Sequence, residues 1–223
     1  MSEQVQKSAF LEGEGDQYFK RNREVLADVA KAAARDPVAK ALSNIQFQAG
    51  RVLEVGAMNG WRLEWLRHQG ATHCAGIDPS ESAIADGKAR FASLDLHVGT
   101  AETLPFADEA FDTVIFGFCL YLCDRRDLFK IASECDRVLA DQGRVIIYDF
   151  LPDFPYRNAY HHKPGLFSYK MDYGKLFDWN PAYRREQQII LSDAAKAAPS
   201  SREAVIILRK SEAAAYADSP YAP

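Results

Sequence analysis

Between residues 51 and 150 the chain alternates short apolar runs with amphipathic stretches of helical spacing, and this rhythm limits the fold more than any other feature of the sequence. The apolar runs are RVLEV, THCAGID, LDLHVGT, DTVIFGFCL and GRVIIYDF; GWRLEWLRHQG, SESAIADGKARF and DRRDLFKIASECDRVLA carry the helical pattern between them. Strand, helix, strand at this spacing requires a parallel sheet with helices on both faces. TVIFGF and RVIIYDF are apolar on both sides, as a sheet covered on both faces demands. Two later runs, REQQIILS and EAVIILRK, are joined by a segment with Pro199 and Ser200 and read as a hairpin at the sheet edge, which makes the last strand antiparallel. The expected fold is α/β, a doubly wound, mostly parallel seven-stranded sheet with an antiparallel last strand.

Outside that core, residues 17 to 42 read as helix, with Phe19, Val25 or Leu26, Val29 and Ala33 on one stripe and a break at Pro37. Residues 1–48 are therefore expected to form a helical extension, 49–210 the main domain and 211–223 a frayed tail. Residues 151–182 are rich in Pro, Tyr, Phe and His with little periodicity, and are expected to form a long loop with a short helix around MDYGKLF. A chain of 223 residues with 48% hydrophobic content can bury one full core. Its formal charge of -4 offers no cationic excess for phosphates or anionic lipid, so nucleic acid and membrane surfaces are not expected partners. The first residues lack the pattern of a secretory signal, and a cytoplasmic location is expected. The four cysteines, Cys74, Cys119, Cys123 and Cys135, show no CxxC spacing and read as reduced, buried thiols; no metal site is expected.

The stretch RVLEVGAMNG ends a strand on Glu54, Gly56, Met58 and Gly60. In an open parallel sheet, ligands bind at the carboxyl ends of the strands where the order reverses, and a glycine there lets backbone and ligand approach. Asp78 ends the next strand about twenty residues on, where an acid can accept ribose hydroxyls. A third strand ends at Thr100, Ala101 and Glu102, so three strand ends converge on an adenosine-sized crevice. A dinucleotide and S-adenosylmethionine compete for it. The dinucleotide pattern needs a middle glycine beside the pyrophosphate, and Met58 takes that place, with Arg62 where the third small residue would be. Glu54 would repel a diphosphate but can hold an ammonium group.

On LEVGAMNG, GIDPS, GTAETLPFADEAFD and RVLADQGRVIIYDF, in that order over roughly residues 50 to 150, the chain resembles the class I S-adenosylmethionine-dependent methyltransferases that act on small molecules. The resemblance implies that Glu54, Gly56 and Gly60, with Met58 beside them, hold the methionine portion of S-adenosyl-L-methionine and that Asp78 holds its ribose. It implies that Ala101 and Glu102 contact adenine and that Phe116, Gly117 and Phe118 line the methionine moiety. Tyr121 falls where relatives often carry a histidine, and Tyr18, Phe19 and Asn22 fall on a helix that in relatives closes over the cofactor as a lid. Thr100 departs from the aspartate that often meets the adenine amino group.

Methyl transfer is an in-line displacement in which the protein aligns the acceptor and excludes water, with a base needed only where the acceptor must lose a proton. His161 and His162 are the first candidates for that base, because imidazole titrates near neutrality; Asp149, Tyr160, Tyr169 and Tyr173 follow. The expected activity is methyl transfer to a small molecule by a monomer or homodimer. A sugar or nucleotide-sugar hydroxyl is the first expectation for the acceptor, ahead of a carboxylate or amine. A non-catalytic S-adenosylmethionine-binding protein of the same fold is the alternative, and a nicotinamide-dependent oxidoreductase the third reading.

Overall fold

The computed structural model describes residues 5–43, 48, 50–191, 202–216, 218, 219 and 221. Four short helices come first: α1 (Val5–Ala9), α2 (Gly15–Asn22), α3 (Val29–Arg35) and α4 (Pro37–Ser43). Then β1 (Arg51–Val55), α5 (Trp61–His68), β2 (His73–Asp78), α6 (Glu81–Arg90), β3 (Asp95–Val98), β4 (Phe111–Gly117), α7 (Leu128–Val138) and β5 (Leu139–Phe150) alternate as the sequence rhythm requires. A hairpin of β6 (Tyr156–Ala159) and β7 (Phe167–Lys170) precedes the closing strands β8 (Tyr183–Ile190) and β9 (Glu203–Lys210).

The main sheet has seven strands in the order β3-β2-β1-β4-β5-β9-β8. β1 to β5 pair in parallel, with Glu54 opposite Gly76 and Ile115, while β9 runs antiparallel to both neighbours. Because successive side chains point to opposite faces, each strand feeds two cores. Leu53, Val55, Val114, Phe116 and Ile147 pack on one face with Ile131, Cys135 and Val138 of α7. Val52, Ile115, Ile146 and Val205 pack on the other with Val38 and Leu42 of α4, Leu63 and Leu66 of α5 and Ile84 of α6. Both faces are sealed, so the carboxyl ends of the parallel strands are where a ligand can enter the domain. All four cysteines are free thiols.

Three parts differ from expectation. The helix expected over residues 17 to 42 is broken after Asn22, and α3 restarts where the Asp28 side chain accepts from the Lys31 amide at 3.0 Å. Pro37 opens α4 as well as ending α3. Proline forces Asp36 into an extended conformation (ψ 126°) and fits the first helical position, where no amide partner is needed. Asp36 then caps α4 by accepting from the Ala39 amide at 2.8 Å. Thirdly, the stretch read as a loop holds the β6–β7 hairpin, with Tyr156 opposite Lys170. Its four-residue strands are too short and polar to show alternation; a tertiary partner fixes them, since the Gln6 side chain donates to the Phe167 carbonyl (2.7 Å) and accepts from its amide (2.9 Å). The helix expected around MDYGKLF is a single tight turn, Tyr173–Leu176, capped by Asp172. The joint at Pro199 and Ser200 lies outside the described residues.

Candidate active site

A crevice of about 410 Å³ opens over the carboxyl ends of β1, β2 and β4, beneath the N-terminal helices. Its floor is the turn after β1. Gly56 has φ +74°, and a Cβ there would lie 2.7 Å from the Cys119 Cβ, so only glycine lets β1 turn against the end of β4. Gly60 (φ +78°) starts α5. Met58, in the place of the usual middle glycine, also has positive φ (50°), while its side chain packs beside Leu26, Ala32 and Trp61 and lines the crevice. An L-residue in this region costs roughly 1–2 kcal/mol. In that conformation the Met58 amide donates to Asp78 Oδ2 at 2.8 Å.

Asp78 is buried at the end of β2, and its other oxygen accepts from the Ser80 amide at 2.9 Å. Burial raises its pKa to about 6 against the pull of those two amides. Each carboxylate oxygen has a second lone pair, so Asp78 can accept two further hydroxyls from the crevice it lines. Glu54, 1% exposed, pairs through Oε1 with Arg62 Nη1, and the rest of that guanidinium forks onto Asp36 at 2.8 and 3.0 Å. Burial and the Asp36 charge push the Glu54 carboxyl up, and Arg62 pulls it down less strongly. Glu54 Oε2 is buried and has no hydrogen-bond partner among the described residues. A buried, unpartnered acceptor oxygen on a residue that lines the crevice suits a cationic ammonium and opposes a diphosphate.

At the far end, Ala101 is buried and Glu102 accepts from Thr100 Oγ1 at 2.8 Å and pairs with Lys7 of α1. The N-terminal helices are tied down around the crevice. The Gln6 and Lys7 amides donate to Asp124, and Asp16 Oδ1 accepts from Ser80 Oγ (2.7 Å), the Ser82 amide (3.0 Å) and Ser82 Oγ (2.9 Å). Tyr18, Phe19 and Asn22 line the crevice from this side.

Where β4 ends, Phe118 also has positive φ (64°) and sits among three rings, 4.9 Å from Tyr121, 4.8 Å from Tyr148 and 4.9 Å from Phe150. Phe118 and Tyr148 face the crevice together with Gly117 and Cys119. Tyr121 is buried with its ring against Phe118, and burial pushes the Tyr18 and Tyr121 phenols up. Asp149 accepts from the amides of Tyr121 (3.2 Å) and Phe150 (2.8 Å), and burial raises it to about 7.

The structure therefore gathers Glu54, Gly56, Met58, Asp78, Ala101, Glu102, Gly117, Phe118 and Tyr18 on one crevice. Phe116 is not on it: its side chain is 1% exposed inside the core, one residue short of the strand end. His161 and His162 lie exposed at the hairpin turn, with His162 edge-on to the Tyr160 ring at 5.3 Å, and neither lines the crevice. Sequence reasoning missed Asp36 and Cys119, and read Arg62 only as an absent glycine. The Asp36-Pro37 pair carries a capping signal, but nothing local links it to Arg62, 26 residues on.

An open sheet in this order, a glycine turn after β1 and an acid at the end of β2 are the features of a doubly wound nucleotide-type binding domain. Residues 53–147 match the family model described as a methyltransferase domain. Over those residues the chain is similar to the class I S-adenosylmethionine-dependent methyltransferases.

A demethylmenaquinone methyltransferase of Thermotoga maritima is 39% identical over 112 residues, 48% of this chain and 47% of that protein. A ubiquinone/menaquinone biosynthesis C-methyltransferase of Desulfotalea psychrophila is 34% identical over 108 residues, 47% of this chain and 43% of that protein. The chain thus spans about half the length of these curated relatives. Among solved structures, a 1,6-didemethyltoxoflavin-N1-methyltransferase of Burkholderia thailandensis, holding 1,6-didemethyltoxoflavin and S-adenosylhomocysteine, has a similar fold. Its TM-score is 0.72 at 17% identity, with 95% of this chain and 92% of that chain covered. A protein of Pyrococcus horikoshii shares the fold at a TM-score of 0.68 and 19% identity, over 87% of this chain and 98% of that one. Among the described residues no helix is long and apolar enough to cross a membrane.

Proposed function

We propose that this chain transfers a methyl group from S-adenosyl-L-methionine to a small planar acceptor whose reacting O–H, N–H or C–H is already acidic. In this reading Asp78 accepts the ribose hydroxyls, Glu54 Oε2 the ammonium group, and Ala101 and Glu102 flank the adenine. The bound cofactor supplies a methyl group activated by its sulfonium. The chain's own residues orient the acceptor and keep water out: Phe118 and Tyr148 offer flat apolar faces at the end of β4 and β5, and Tyr18 closes the crevice from above.

The observation that carries the acceptor class is the state of the crevice's proton-accepting groups. None of the described residues lining it is a histidine. Tyr18 and the Tyr121 behind it are pushed up by burial, so both are protonated at neutral pH and can donate but not accept a proton. An unactivated sugar hydroxyl needs a strong base at the reacting atom; an enol, phenol or ring imide does not. Two relatives and one structure support the reading: one relative is named for demethylmenaquinone, the other for ubiquinone/menaquinone biosynthesis, and the Burkholderia structure holds a fused heterocycle. The sugar expected from sequence has no such support.

A panel assay with radiolabelled S-adenosylmethionine tests the reading. Hydroxynaphthoquinols and fused pyrimidine heterocycles are expected to be methylated, with nucleotide sugars silent. Turnover of a nucleotide sugar with none of a planar acceptor would overturn it. Tight cofactor binding with no turnover on either class would favour the non-catalytic alternative.

A further inference from the structure

Arg62 is shared unequally between two buried acids. Asp36 takes two of its nitrogens, Nε at 3.0 Å and Nη2 at 2.8 Å, whereas Glu54 is offered Nη1 alone and accepts with Oε1. All three side chains are buried, with exposures of 6%, 5% and 1% for Asp36, Arg62 and Glu54. The guanidinium is boxed in further. The Trp61 ring lies 4.8 Å from its Cζ, and a Cβ on Gly117 would meet Glu54 Oε1 at 2.5 Å and Arg62 Nη1 at 2.7 Å, so the end of β4 abuts the pair. Asp36 is itself fixed, because Oδ2 also caps α4 through the Ala39 amide at 2.8 Å. The outcome is an asymmetry: both oxygens of Asp36 are engaged, and Glu54 Oε2 is left without a hydrogen-bond partner among the described residues.

A guanidinium prefers to fork onto a carboxylate with two parallel bonds. Without a charged competitor, Arg62 would turn its fork on Glu54 and cover both oxygens. We propose that Asp36 is a positioning residue of the cofactor site, which occupies two edges of the Arg62 guanidinium and so keeps Glu54 Oε2 open to the ammonium group of the methionine tail. The N-terminal extension, through the Asp36 cap of α4, thereby sets the chemistry of a glutamate on β1. Charge points the same way. Two acids and one guanidinium leave a net negative charge at the methionine end; neutralising Asp36 leaves none. The inference rests on the cofactor class and not on the planar-acceptor reading.

Asp36→Asn is the variant, because asparagine caps a helix about as well as aspartate and removes only the charge that competes for Arg62. Titration calorimetry with S-adenosylhomocysteine and with 5′-methylthioadenosine, which lacks the amino-acid tail, reads the two ends of the crevice separately. The expected result is S-adenosylhomocysteine binding about tenfold weaker with methylthioadenosine binding unchanged. Equal weakening of both ligands would mean a merely structural role and would overturn the proposal, as would unchanged S-adenosylhomocysteine binding. The double variant Asp36→Asn/Arg62→Met adds an independent reading. With no guanidinium to cover Oε2, at pH 8.5 it should bind S-adenosylhomocysteine more tightly than Asp36→Asn alone, whereas additive losses would refute the mechanism. Failure of the wild-type protein to bind either ligand would instead remove the cofactor assignment itself.

Discussion

Gly56→Ala puts the strand-to-crevice turn under a measurable load. The new Cβ would be held at φ +74°, which costs an L-residue roughly 1–2 kcal/mol. It would also stand 2.7 Å from the Cys119 Cβ and 3.1 Å from its Sγ, where carbon contacts normally begin near 3.5–4.0 Å. Cys119 must therefore retreat by about 1 Å, at an overpacking cost of roughly 1–3 kcal/mol. Gly70→Ala supplies the control: Gly70 has φ +97°, with nothing within 4 Å of its Cβ, so it carries the dihedral cost alone. For a domain of this size each kcal/mol moves Tm by about 2–4 °C. Gly70→Ala should lower Tm by about 2–8 °C and Gly56→Ala by roughly 4–20 °C, with the larger loss at Gly56. Because Cys119 lines the crevice next to Phe118, Gly56→Ala should also weaken S-adenosylhomocysteine by about tenfold or more, and Gly70→Ala should leave it unchanged. Thermal denaturation and calorimetry read the two quantities. Equal Tm losses with unchanged binding in both variants would refute the assignment of the Gly56 turn to the cofactor floor.

Other expectations follow from the buried acids and the exposed histidines. In the proposed reading Asp78 binds hydroxyls as a carboxylate, and burial raises its pKa to about 6, so S-adenosylhomocysteine affinity should fall about tenfold per pH unit below 6, measured by calorimetry from pH 5 to 8. Asp78 and Asp149 both have folded pKa values above the ordinary carboxylate range. Their contribution to stability is thus fully present below about pH 4 and is lost as pH rises through about 6 to 7, and the Asp78→Asn/Asp149→Asn variant should flatten that part of the Tm-against-pH curve. His161→Ala/His162→Ala alters two exposed side chains off the crevice and should leave cofactor binding unchanged and turnover within about threefold. A loss of turnover beyond that would return these histidines to the reaction.

The parallel sheet was legible because its signal is local. RVLEV, THCAGID and TVIFGF are buried along most of their length, and their apolar runs announce themselves without tertiary information. The candidate cofactor residues were legible for a related reason: a turn after β1 and an acid after β2 lie at fixed places in such a sheet, so Gly56 and Asp78 could be placed at its crevice from the rhythm alone. The hairpin β6–β7 was not, because its order comes from Gln6, which is 161 residues away from Phe167. The same holds for Asp36, whose partner Arg62 is brought to it by the packing of α3 on α5, and for Phe118, whose left-handed backbone no propensity forecasts. His161 and His162 were chosen for their chemistry in water. Their place at an exposed turn depends on the course of a hairpin that polar four-residue strands could not reveal.

Titration of the purified chain with S-adenosylhomocysteine at pH 7.5, beside Asp78→Ala and with NADH as the rival ligand, goes straight to whether this crevice holds the methyl donor by the acid on β2. The structure predicts one-to-one micromolar binding of S-adenosylhomocysteine, its loss in Asp78→Ala, and no heat from NADH. Binding of NADH, or S-adenosylhomocysteine binding untouched by Asp78→Ala, would contradict it.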